Sequence, residues 1–162
     1  MRDAAPDWFD RPRAEEPGLR FACTQCGNCC TGAPGYVLFS EDEGRAMAAE
    51  LGVPHVAFLD RYTRETPEGR SLREVRTEHG HDCVLLDRTS RPGKAICSVY
   101  TARPTQCRTW PFWPENLRSR RHWQRAAQTC PGIGRGPLHS PETVRLRLGE
   151  DLRTGQTAER DT

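Results

Sequence analysis

The sequence predicts a small, irregular α+β domain with short helices and a short hairpin, stabilised by something other than a large apolar core. Three observations carry this. Only 35% of the 162 residues are hydrophobic, while Gly 14 and Pro 13 cut the chain into short pieces. Apolar periodicity supports only brief helical stripes and one strand pair. Eight cysteines stand in a chain too poor in core-forming residues to be stable without a staple.

The elements follow in chain order. Residues 1–20 carry charges, three prolines and no periodicity, and are expected to form a flexible arm, with Trp8 and Phe9 docking on the body. A Gly/Pro turn at Gly32 to Gly35 and a short apolar run, Tyr36 to Phe39, lead to Ser40. Ser40 with Glu43 predicts a capping box and a helix to about Leu51, stopped by Gly52. Val56, Phe58, Leu59 and Tyr62 predict a second helix to about Arg64. Residues 65–82 are charged and irregular, with Leu72 and Val75 on at most a short strand. Cys83 to Leu86, the turn Arg91-Pro92-Gly93-Lys94 and Ile96 to Tyr100 make a hairpin. Residues 103–114 form a Pro-rich loop. Ser119 caps a helix to about Gln128, Cys130 to Gly134 is a loop, and Ser140-Pro141 opens a last helix to about Leu152. The expected division is an arm (1–20), a cysteine-cluster domain (21–135), a C-terminal helix (136–153) and a disordered tail (154–162).

The kind of staple follows from setting and spacing. The opening residues lack an apolar stretch followed by a small-residue cleavage site, and no stretch is long and apolar enough for a membrane span. The expected setting is therefore cytoplasmic and reducing, where clustered cysteines bind metal or do redox work. Cys23-x2-Cys26-x2-Cys29 lets sulfurs turn toward one ion while the intervening N–H groups stabilise their charge. Gly27 permits the tight, positive-φ turn that this needs. Cys29 and Cys30 are adjacent, and adjacent side chains diverge, so one of them faces a second site or is spare. The remaining cysteines are Cys83, Cys97, Cys107 and Cys130. Eight thiolates make two four-thiolate sites. One consistent partition sends Cys23, Cys26 and Cys29 to one and Cys30 to the other, leaving open which scattered cysteine joins which. Four thiolates suit zinc and iron–sulfur clusters alike. His79 and His81 precede Cys83 and stand as reserve ligands.

The formal charge is +2, and eight thiolates with two divalent ions would bring it to about −2, so charge alone selects no partner. The skew toward arginine over a single lysine, Lys94, reads as a compositional habit, and nucleic acid is not the expected partner. Arg118, Arg120, Arg121 and Arg125 form a local basic patch, more often a solvated face than an RNA contact. Trp110, Phe112, Trp113 and Trp123 are expected to cover the metal and complete the small core. No carboxylate pair, nucleophile with its base, or glycine-rich phosphate loop is recognisable, so no catalytic residue is assigned.

Phe21-x-Cys23-x2-Cys26-Gly27-x-Cys29-Cys30, Cys83-Val84-Leu85-Leu86-Asp87, Cys97-Ser98-Val99-Tyr100-x2-Arg103-Pro104-x2-Cys107-Arg108-Thr109-Trp110-Pro111-Phe112 and Cys130-Pro131-Gly132-Ile133-Gly134 together resemble the signature of the zinc- or iron-chelating cysteine-cluster proteins (CxxCxxCC, YkgJ-type). The resemblance covers about residues 21–135 and implies a metal-chelating domain of undefined cellular role. Arg103 and Arg108 flank Cys107 inside the matched stretch and are expected to offset thiolate charge or donate to sulfur. Three functions follow as expectations: a structural or accessory metal-chelating protein, an iron–sulfur redox or catalytic protein, and a zinc-stabilised nucleic-acid or protein-interaction module.

Overall fold

The computed structural model describes residues 7–10 and 16–158, with side chains described to residue 151. In chain order the elements are β1 (Leu19–Phe21), α1 (Glu41–Leu51), α2 (His55–Tyr62), β2 (Thr63–Thr66), β3 (Gly69–Leu72), β4 (Glu74–Thr77) and β5 (Gly80–Cys83). There follow β6 (Leu86–Asp87), β7 (Ile96–Cys97), α3 (Thr105–Thr109), α4 (Pro114–Leu117), α5 (Arg120–Ala127), β8 (Ile133–His139) and α6 (Pro141–Ala158). The protein is α+β, with short helices and small antiparallel pairs. Among the described residues no helix is long and apolar enough to cross a membrane.

The chain divides into two compact units, residues 1–24 with 111–150, and residues 25–110 with 151–162. In the first, β1 pairs antiparallel with β8, Leu19 opposite His139 and Phe21 opposite Ile133, with a register shift between Arg20 and Phe21. Its core is Phe9, Leu19, Phe112, Leu117, Trp123 and Val144. Phe112 stacks on Trp123 at 5.8 Å, and the Trp8 indole donates to the Leu117 carbonyl at 2.7 Å. Part of the expected arm (residues 1–6 and 11–15) lies outside the described residues, whereas Trp8–Asp10 form a helical turn with Phe9 buried. Ser119 caps α5 and Ser140 caps α6, as their sequence positions predict. The backbone of α6 continues to Ala158, and residues 159–162 of the expected tail lie outside the described residues. The stretch from Ile133 is a strand rather than a loop. Gly134, Gly136 and Pro137 hide it, because these residues are poor strand formers that an edge pairing tolerates.

In the second unit, α1 begins with the predicted capping box. The Ser40 hydroxyl accepts from the Glu43 N–H and the Glu43 carboxylate accepts from the Ser40 N–H, while Gly52 closes the helix in the left-handed region. The core is Met47, Ala48, Phe58, Leu72, Leu85 and Val99. The predicted hairpin forms in part, as β6 against β7 with Leu86 opposite Cys97, whereas Cys83 ends β5 opposite Glu74, Val84 and Leu85 make a turn, and the chain leaves the strand after Cys97. Residues 65–82 are not irregular. They build two successive hairpins, β2–β3 and β4–β5, on the same local device. In each, a threonine (Thr66, Thr77) precedes a two-residue turn, its hydroxyl accepts the amide two residues on, and a glycine (Gly69, Gly80) takes the positive φ that reverses the chain. The T-x-x-G pattern occurs twice within strands too charged to show an apolar alternation.

Residues 103–114 also hold more structure than a loop, since they carry α3 and the start of α4. Helix α3 has Pro104 at its N-cap, which supplies no side-chain cap. Glu43 supplies one from α1. Its Oε1 accepts from the Thr105 amide at 2.8 Å and the Thr105 hydroxyl at 2.6 Å. One carboxylate thus caps two helices, and the second is the helix that bears Cys107. Glu43→Ala is expected to cost about 2–3 kcal/mol, because a charge-assisted bond and two caps are lost together. Chemical denaturation at neutral pH measures it.

Candidate metal centre

All eight cysteines are thiols. Cys23 and Cys130 belong to the first unit and the other six to the second. Cys130 is buried, and its N–H donates to the Ala126 carbonyl beyond the end of α5. Cys23 follows β1 and is exposed.

In the second unit four thiols from four separate places share one electrostatic neighbourhood. Cys29 lies in the dense loop, Cys83 ends β5, Cys97 ends β7 and Cys107 is in α3. Burial pushes the Cys83 thiol up to about 11, and Cys97 and Cys29 add to the rise. Cys107 is raised by burial first, then by the proximity of Cys83, Cys97 and Cys29. Cys97 is raised by burial, with Cys29 contributing. Cys29 is raised chiefly by its contact with Cys30 and then by burial. Each of the four therefore resists ionisation, first through burial at Cys83, Cys97 and Cys107 and through the Cys30 contact at Cys29, with neighbouring sulfurs adding to the rise at the first three.

Two backbone details favour the ionised form. The Leu85 N–H hydrogen-bonds the Cys83 sulfur and the Val99 N–H the Cys97 sulfur, each from two residues downstream. Such amide-to-sulfur bonds orient thiolate ligands and lower their charge density. Arg103 adds positive charge toward Cys29, Cys97 and Cys107. Its guanidinium is held by donation from Nε to the Tyr100 carbonyl at 3.0 Å and by stacking 4.0 Å over the Tyr100 ring. Arg108 turns elsewhere, donating to the Thr105 hydroxyl at 2.9 Å and lying 3.8 Å from Glu43.

The dense loop is pinned at both ends. The Ala95 N–H donates to the Gln25 carbonyl at 2.8 Å, and the His81 N–H donates to the Gly32 carbonyl at 2.8 Å. His81 thus contributes its backbone here, and the His79 ring lies 3.5 Å from Glu78. Between the pins, Gly27 takes φ +77° and opens a single helical turn, Asn28–Cys30, closed by the Cys30 N–H on the Gly27 carbonyl at 2.9 Å.

A residue pair that sequence reasoning passed over supports this loop. Asp82, buried at 5% exposure, accepts two bonds from Arg88, at 2.7 and 3.1 Å. Arg88 holds the Asp82 carboxyl down to about 2, with hydrogen bonds from Thr31 and Thr77 assisting. Arg88 also feels the charge of Cys30 and lies beside Gly27. The available signal was the proximity of both residues to Cys83, but nothing in an isolated Asp and Arg six apart announces a pair. Asp82→Asn is expected to cost about 2–4 kcal/mol, since it strands a half-buried guanidinium. Urea unfolding of the metal-stripped protein reads this without interference from metal.

Soft thiol donors, amide-to-sulfur bonds and a neighbouring cation fit a thiophilic metal such as zinc or iron. Among the described residues, no three Cys, His, Asp or Glu side chains are already closed around one point. No solved structure matches the chain. The CxxCxxCC family, described as "Putative zinc- or iron-chelating domain", matches residues 22–131, and this stretch contains all eight cysteines. The chain therefore belongs to the CxxCxxCC family of zinc- or iron-chelating domains.

Proposed function

We propose that the protein is a thiolate metal-binding protein in which Cys29, Cys83, Cys97 and Cys107 hold one zinc ion or iron-centred group, in a structural or accessory role. The observation that supports this reading is the mutual electrostatic coupling of four thiols drawn from four separate elements. Four raised thiols are an unfavourable neighbourhood for anything but neutral sulfur or a cation. A bound metal would supply the charge that lets all four ionise and would tie together the dense loop, the β4–β5 and β6–β7 hairpins and α3. Arg103 is a positioning and charge-balancing residue, not a ligand. The other sequence-predicted ligands, Cys23, Cys26, Cys30 and Cys130, are not assigned to this centre. A cytoplasmic location fits thiols that must stay reduced to bind.

Zinc titration of the stripped protein tests the reading. Because the free thiols are protonated at neutral pH, ligation displaces their protons. Apparent affinity is expected to rise with pH, and proton release to accompany zinc uptake. Uptake without proton release would mean that these thiols are not the ligands. Elemental analysis and an absorption spectrum of anaerobically purified protein separate the metals. A colourless zinc protein supports the structural role, and a visible band with acid-labile sulfide supports the iron–sulfur one.

A further inference from the structure

Neighbouring side chains ordinarily point apart, yet the sulfurs of Cys29 and Cys30 lie 3.7 Å from each other. The helical turn over Asn28–Cys30 brings them together, and the Gly27 carbonyl bond to the Cys30 amide fixes that turn. Cys29 is exposed and Cys30 partly so, which leaves the pair open to a dissolved oxidant. Cys29 is one of the four thiols of the proposed metal centre, and Cys30 is not assigned to it.

We infer that Cys29 and Cys30 are a redox-active vicinal dithiol that takes a peroxide as oxidant and closes to a reversible disulfide, withdrawing Cys29 from the metal centre. The Cys30 sulfur, once it has given up its proton, attacks the peroxide O–O bond, forming a sulfenic acid and releasing water (or the alcohol of an organic peroxide). The second thiol then displaces the sulfenic oxygen as water, and the S–S bond forms. Two thiols lose two electrons, the O–O bond takes them up, and both thiol protons end in the released products. The product is built to be undone. Adjacent Cα atoms are about 3.8 Å apart across a trans peptide, shorter than the roughly 4.4–6.8 Å of relaxed disulfides. A bridge under such constraint is readily reduced by small thiols. Loss of metal on closure rests on the metal reading above, whereas formation of the bridge does not.

The test uses the full chain, zinc-loaded and chelator-stripped, treated anaerobically with one equivalent of hydrogen peroxide, alkylated and fragmented for mass analysis. In the stripped protein, the fragment carrying Cys29 and Cys30 is expected to lose about 2 Da, escape alkylation at both positions, and recover both on treatment with dithiothreitol. In the loaded protein, zinc release is expected to track that mass change. Cys30→Ser should abolish the mass change and slow peroxide-driven zinc release at least about ten-fold, zinc binding itself being retained. Alkylation of both sulfurs after peroxide, or a bridge from either to another cysteine, would overturn the inference. A vicinal bridge that leaves zinc in place would overturn the withdrawal of Cys29. A bridge in a chain that takes up neither zinc nor iron would instead overturn the metal reading and leave the dithiol standing.

Discussion

Cys107→Ser is expected to empty the metal centre and remove roughly 5–10 °C of metal-dependent stabilisation from the melting temperature. The magnitude follows from linkage. Losing even an outer partner of a metal ligand weakens binding about 10–100-fold, and losing the ligand itself weakens it more. A hundred-fold loss at saturating metal removes up to about 2.7 kcal/mol from folding. For a chain of this length each kcal/mol is worth about 2–4 °C. Cys107 is the most informative of the four positions because burial and three neighbouring sulfurs all act on it. The serine hydroxyl also carries a cost unrelated to metal, about 1–2 kcal/mol for a buried polar group short of partners. That cost is present in the stripped protein too. The diagnostic quantity is therefore the excess destabilisation with metal over that without it, read from melting curves of both forms. An equal shift in both forms would make Cys107 a packing residue and remove it from the centre.

How much of this was legible in the sequence depends on the range of the interaction. Local chemistry was readable. Ser40 and Glu43 predicted a capping box because both partners lie within one helical turn, and Ser119 and Ser140 marked helix starts for the same reason. Gly27 was recognisable as a positive-φ turn because it sits between closely spaced cysteines. The hairpins over 63–83 were missed, since their strands are charged on both faces and their signal lies in the turn residues. The grouping of cysteines was beyond reach for a physical reason. Cys29 meets Cys83, Cys97 and Cys107 only after two hairpins and a short helix have folded, and spacing along the chain does not encode that meeting. Proximity in sequence even misdirects. Arg108 is next to Cys107 and Arg103 four residues away, yet Arg103 faces the thiols and Arg108 is drawn to Glu43, whose second role at Thr105 is a tertiary contact. Arg88, unflagged in the sequence, reaches the dense loop because Asp82 holds it there.

Gly27→Ala is expected to destabilise the protein by about 2–5 kcal/mol, and two separable causes produce it. The first is the backbone. At φ +77° an alanine pays about 1–2 kcal/mol relative to its usual region. The second is space. A Cβ on residue 27 would stand 2.6 Å from the Ala95 Cβ, a distance no packed pair tolerates, and relieving it costs a further 1–3 kcal/mol or so. The two are resolved by adding Ala95→Gly. That second substitution removes the opposing methyl and should restore the steric share while leaving the backbone share in place, so the double variant is expected to be more stable than Gly27→Ala alone. The outcome bears on metal binding as well as stability. Residue 95 is tied to the loop by its N–H on the Gln25 carbonyl, so pushing 27 and 95 apart strains the pin that positions Cys29 and Cys30 against the hairpin carrying Cys97. Metal affinity should therefore fall in Gly27→Ala and recover in part in the double variant. If Gly27→Ala were as stable as the parent in urea and bound zinc unchanged, the dense loop would not be held against β6–β7 in the way its glycine, its amide bond and its packing require.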